Sequence, residues 1–151
     1  MNQIDYHFCK TQQSIYERAA YAGYDMQIFS DAYLSSAFCA EAMDTIYSRF
    51  QTNFAKECED FFMSEISNKL IKYSNGYCFD LDVAAWIGFT YRQLFIETSI
   101  PSTELCHIVS FESMCRYYAG LHTISEKQAG EIIREDFSLP DQRYDSDFET
   151  L

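Results

Sequence analysis

The sequence predicts an all-α, single-domain bundle of about five to seven helices, followed by a flexible acidic C-terminal tail. Three observations carry that reading. The 151 residues suit one domain and include only two prolines and five glycines, too few breakers for a many-turned β-sandwich. Apolar residues make up 48% of the chain, enough for a core without staples. Along most of the chain those apolar residues recur at helical spacing.

The elements follow in order. Residues 3–22 read as a first helix, with Ile4, Phe8, Ile15 and Ala19 near helical spacing and Gly23 at the left-handed cap position. Residues 24–29 read as a connection. Ser30 or Asp31 is expected to cap a second helix carrying Leu34, Phe38, Met43, Ile46 and Phe50 on one face. A break at residues 51–53, with Asn53 as a new cap, starts a third helix through Phe54, Cys58, Phe61, Phe62, Ile66 and Leu70, which Asn75-Gly76 ends. Asp80 or Asp82 caps a fourth helix running to Thr98, apolar on most of its circumference and therefore central. Gly88 inside it costs roughly 1 kcal/mol against Ala, which close packing against a neighbouring helix would offset.

Pro101 breaks the chain. Ser102 then caps a short helix through Val109, and Ser110 caps another through Tyr118, with Gly120 beyond its end. Thr123 and Glu126 fit a capping box for a last helix that carries Ile132 and Ile133 and ends near Glu135. The helical domain thus spans residues 1–135. Residues 136–151 hold Asp136, Asp141, Asp145, Asp147 and Glu149 against Arg143 alone, and read as a flexible acidic tail.

Charge narrows the function. Eleven basic residues against twenty-three acidic give a net −12. Such a surface repels phosphates and anionic lipid, so no direct nucleic-acid or membrane binding is expected. No run approaches the roughly 18 apolar residues of a membrane span, and the N-terminus lacks the pattern of a secretory signal. Cys9, Cys39, Cys58, Cys78, Cys106 and Cys115 stand singly; free thiols in a cytoplasmic, reducing setting are the expectation. The pairs His7/Cys9, Cys106/His107 and Cys115/His122 match no zinc spacing. There is no nucleophile elbow, P-loop or dinucleotide fingerprint. No catalytic, metal or cofactor residue is therefore assigned.

Tyr and Phe together number twenty-five, and tyrosine favours interfaces. Arg92, after Tyr91 in the most apolar helix, is either held by a carboxylate or carbonyl inside the fold or receives a partner's anionic group. His122 and Thr123, at the entry to the last helix, read as capping or as contact residues.

The residues Trp86-Ile-Gly88-Phe-Thr-Tyr91-Arg92, with Thr98, Met114, Tyr118-Ala-Gly-Leu-His122-Thr123 and the helix through Ile132, resemble a group of small helical proteins encoded beside toxin genes in bacterial and mobile-element genomes. The resemblance covers about residues 82–135. It implies an antitoxin- or immunity-like protein that neutralises a partner by direct contact. The expected function is a non-enzymatic, acidic inhibitor of a basic protein partner, a toxin or nuclease. Trp86, Tyr91, Arg92, Tyr117, Tyr118 and His122 are the candidate contact residues. The alternatives are a phage-encoded inhibitor of a host defence nuclease, such as an anti-CRISPR acting by nucleic-acid mimicry; a small enzyme with a Cys/His or carboxylate site; and a homodimer with a tyrosine-rich seam.

Overall fold

The computed structural model describes residues 1–45, 60 and 63–143. Its α-helices are α1 (Gln3–Tyr21), α2 (Met26–Leu34), α3 (Leu81–Thr98), α4 (Ser102–Ile108), α5 (Phe111–Leu121) and α6 (Glu126–Asp136). No strand is present among the described residues, so the all-α expectation holds. None of these helices is long and apolar enough to cross a membrane.

The apolar circumference of α3 makes it the axis of the bundle. From Ala84 to Thr98 every residue but Trp86 is buried, and α1, α4, α5 and α6 all pack on it, α1 most extensively. Gly88 permits that closeness. A Cβ there would sit 2.8 Å from the Gln12 carbonyl oxygen and 2.8 Å from the Tyr16 ring. The amide of Gln12 donates to the Gly88 carbonyl at 2.8 Å, which fastens the two helices where they approach. The predicted compensation for a mid-helix glycine is therefore present.

Caps fix several ends. Asp80 accepts from the Asp82 and Val83 amides at 2.9 and 3.1 Å, and Ser110 accepts from Ser113 at 3.1 Å, both at expected positions. Gly23 takes φ +89° after α1, a conformation that favours glycine. Other boundaries differ from expectation. Asp25, not Ser30 or Asp31, caps α2, accepting from Gln27 and Ile28 at 3.1 and 3.2 Å. The helix stops at Leu34 because Ser36 competes for the backbone. Its hydroxyl donates to the Tyr33 carbonyl at 2.7 Å and accepts from the Cys39 amide at 3.0 Å. Cys39–Met43 then forms a separate π-helical turn, so Leu34, Phe38 and Met43 do not share one helix. The expected positions Ile46 to Phe54, and Cys58, Phe61 and Phe62, lie outside the described residues.

The third predicted helix ends early. Residues 63–66 are helical, Ser67–Lys69 tightens into a 3-10 turn, and Leu70 is extended. Residues 70–80 form a strap pinned to the end of α1 by bonds from Asp25 N to Ile71 O at 2.7 Å and from Tyr73 N to Gly23 O at 2.9 Å. Asn75-Gly76 makes a left-handed turn inside the strap, not a helix end. Ser102 lies inside α4, one residue past its cap position, because its hydroxyl is engaged by Asp44 at 2.6 Å. Gly120 lies within α5. Ser125, not Thr123, caps α6, accepting from the Gln128 amide at 3.1 Å.

The first residues of the predicted tail are attached to the fold. Phe137 and Leu139 pack against the core, the Ser99 hydroxyl donates to the Gln142 carbonyl at 2.7 Å, and Arg134 lies 3.8 Å from Asp141. Residues 144–151, the remainder of the predicted flexible tail, lie outside the described residues.

Candidate partner-binding surface

Arg92 is the largest fully buried side chain, 1% exposed. Its five N–H groups are all used. Nε and Nη2 donate to Gln12 Oε1 at 3.0 and 2.9 Å. Nη1 donates to the Met43 carbonyl at 3.1 Å and to Asp44 at 2.6 Å. Nη2 also reaches Ser102 Oγ at 3.0 Å and Cys39 Sγ at 3.2 Å. The Phe95 ring lies 5.0 Å away. Burial works to lower the Arg92 pKa, but Asp44 beside it raises it above its ordinary value. A saturated guanidinium has no donor left for a ligand, so Arg92 is a structural hub and not a contact residue. Tyr91 is likewise withdrawn. It is 1% exposed and donates to the Val109 carbonyl at 2.5 Å.

Three other candidates come together. Trp86, half-buried on α3, meets the Tyr118 ring of α5 edge to face at 5.9 Å. Tyr118 stacks on His122 at 4.2 Å, whose Nδ1 lies 2.6 Å from the Tyr118 carbonyl. Phe89 lies three residues beyond Trp86, on the same face of α3, and meets Tyr6 of α1 edge to face at 5.8 Å. Two ring groups thus lie along one face of α3, Tyr6 (45% exposed) with the buried Phe89, and Trp86 with Tyr118 and His122; together they form an aromatic strip over three helices. Tyr117 faces elsewhere. Its hydroxyl donates to Asp136 at 2.6 Å, and with Ser113, Arg116 and Phe137 it lines a separate open hollow of about 380 Å³. Burial, and then the bond to Asp136, push its pKa up to about 12.

Asp5 precedes Tyr6 on α1, and Asp82 lies one turn before Trp86 on α3. Several other acids are committed within the fold. Glu65 caps the Ala37 and Phe38 amides at 2.7 and 3.0 Å. Glu97, 3% exposed, holds Arg134 at 3.2 Å.

The sequence pointed to Trp86, Tyr118 and His122 but missed Phe89 and Tyr6. The spacing from Trp86 could have found Phe89. Tyr6 joins only through the contact of α1 with α3, which no local pattern encodes.

The thiols divide by burial. Cys39 is pushed up to about 11 by burial, against the pull of Arg92; burial also raises Cys9, Cys106 and Cys115. These groups rest as neutral thiols and are poor nucleophiles. Because the folded value for Cys39 lies above the ordinary 9.0, its contribution to stability is complete below pH 9. It is lost as the pH rises toward about 11, where the unfolded chain ionises first. Buried Tyr16, Tyr33 and Tyr91, all raised, act in the same direction. Urea midpoints are expected to fall across that window, with a shallower fall in Cys39→Ala. A flat profile would contradict the burial of these groups.

Comparison of the chain with protein-family models, curated proteins and solved structures finds no match.

Proposed function

We propose that the chain is a non-enzymatic inhibitor that docks a basic protein partner, a toxin or nuclease, on the aromatic strip. The observation that carries this reading is the strip itself: the sole tryptophan in ring contact with Tyr118, which stacks on His122, and, on the same face of α3, the Tyr6–Phe89 pair. Aromatic residues of this kind supply most hot-spot energy at protein interfaces. A net charge of −12 attracts a basic partner over distance and speeds encounter. The five cysteines described as free support action in the reducing cytoplasm. Nucleic-acid mimicry is the weaker version, because Asp44, Glu65 and Glu97 are occupied inside the fold and cannot stand in for phosphates.

The test is capture of the partner from cells that naturally express the protein, after nuclease treatment, with wild type beside Trp86→Ala and Tyr118→Ala. A basic partner is expected to bind wild type stoichiometrically and to weaken as salt rises. Each truncation is expected to weaken it by at least about 2 kcal/mol, roughly 30-fold, with the helical circular dichroism unchanged. Equal capture by wild type and both variants would place the partner elsewhere and end this reading.

A further inference from the structure

From sequence, His122 reads as a cap or as a contact; its ring has one nitrogen for each role. The ring lies flat on Tyr118, with centroids 4.2 Å apart and planes 11° from parallel. Nδ1 is 2.6 Å from the Tyr118 carbonyl, and the His122 amide donates to the same oxygen at 3.1 Å. Stack and hydrogen bond together hold the ring in one orientation at the end of α5. A carbonyl oxygen only accepts, so Nδ1 carries the proton. A neutral imidazole has one N–H and one bare nitrogen, and the bond made by one nitrogen fixes the state of the other. In neutral His122 the bare nitrogen is therefore Nε2. It makes no hydrogen bond among the described residues, and the residue is exposed.

Such a nitrogen takes a donor. Nε2 is an oriented acceptor in the same ring group as Trp86 and Tyr118, so it meets whatever docks there. The net charge of −12 draws cations toward the chain and repels anions. Between cationic donors, a guanidinium suits the place better than an ammonium. It is planar, more weakly hydrated, and stacks on aromatic rings. We propose that His122 Nε2 accepts a hydrogen bond from an arginine guanidinium of the partner, seated beside Trp86 and Tyr118. The inference rests on reading the strip as the docking surface, and it names the group that docks.

Two measurements on the full chain without its partner, at about pH 8 where imidazole is neutral, test it. Nitrogen NMR of the labelled chain is expected to show His122 protonated on Nδ1 and bare on Nε2; the reverse tautomer would overturn the proposal. The blocked tripeptide Ac-Ala-Arg-Ala-NH2 is then titrated in, beside versions with lysine or citrulline in place of arginine. Citrulline keeps N–H groups but has no charge. The arginine peptide is expected to move the His122 ring and Trp86 indole resonances, with a midpoint roughly tenfold below that of the citrulline peptide. His122→Phe keeps a ring to stack on Tyr118 but has no acceptor, and should raise the arginine midpoint roughly tenfold or more. No response to the arginine peptide would overturn the proposal, as would a citrulline or lysine peptide that binds as well, or a midpoint unmoved in His122→Phe. These outcomes are separate from those of partner capture. If they fail while Trp86→Ala still weakens capture, only the role of His122 falls. Capture indifferent to Trp86→Ala, with the arginine peptide still bound at His122, would fault the docking surface instead.

Discussion

Replacing Arg92 with methionine is expected to destabilise the fold by about 3–5 kcal/mol. The guanidinium joins α3 to three other places at once: Gln12 on α1, Ser102 on α4, and the π-helical turn through the Met43 carbonyl and Asp44. Methionine fills similar volume but donates nothing. It removes the donors that Arg92 gives to the Gln12 and Met43 oxygens and the guanidinium that pairs with Asp44, 10% exposed. Orphaned buried acceptors cost about 1–3 kcal/mol each, so the destabilisation comes from what is left behind rather than from the ion pair alone. Lysine should not rescue, because one ammonium cannot reach four partners in a fixed fork. Adding Asp44→Asn to Arg92→Met is expected to recover part of the loss. The amide removes the carboxylate charge that Arg92 had offset, while its oxygen still accepts from the Ser102 amide, as Asp44 does at 2.8 Å. Urea unfolding of the four proteins in the cycle measures this. A single Arg92→Met variant within about 1 kcal/mol of wild type would show that the hub contributes little.

This hub also marks the limit of what could be read along the chain. The apolar circumference of residues 82–95 announced a central helix, and the placement of Arg92 left open whether the charge is held inside the fold or offered to a partner. The partners could not be named. Gln12 and Asp44 lie eighty and forty-eight residues away in sequence, and Asp44 arrives through a π-helical turn that begins after Ser36 interrupts the expected second helix. Asp80 and Ser110, which cap their own helices, were located in the sequence, whereas Asp25 and Ser125, equally local caps, were displaced by neighbouring candidates at Ser30, Asp31 and Thr123. Ser102 was misplaced because tertiary structure diverts its side chain to Asp44. The aromatic strip divides in the same way. Trp86, Tyr118 and His122 were named through the motif that carries the resemblance, but Tyr91 and Arg92, their neighbours in the same motif, are buried. Tyr6 belongs to the strip only because α1 lies against α3.

That contact gives the second large expected effect, and its sign is the informative part. In an exposed helix, glycine to alanine stabilises by roughly 1 kcal/mol. Gly88→Ala is expected to do the reverse and cost about 1–3 kcal/mol. The new methyl would lie 2.8 Å from the Gln12 carbonyl oxygen and 2.9 Å from the Tyr16 Cβ, and neither atom can move without moving α1. Displacing α1 would also stretch the Gln12 bond to the Gly88 carbonyl and disturb the Gln12 oxygen that accepts from Arg92 and from Tyr33 at 3.0 Å. Gly120→Ala supplies the control, because a Cβ there meets nothing within 4 Å. It lies within α5 and should stabilise by up to about 1 kcal/mol. Thermal or urea unfolding of the two variants should therefore move in opposite directions. If both stabilise, α1 and α3 are not held at this distance, and the Tyr6 to Phe89 contact at 5.8 Å loses its support. If they diverge as expected, Gly88→Ala becomes a probe of the strip as well. It wedges α1 from α3 without touching a residue of the strip, so partner affinity should fall with it if the alignment of Tyr6 and Phe89 matters for docking.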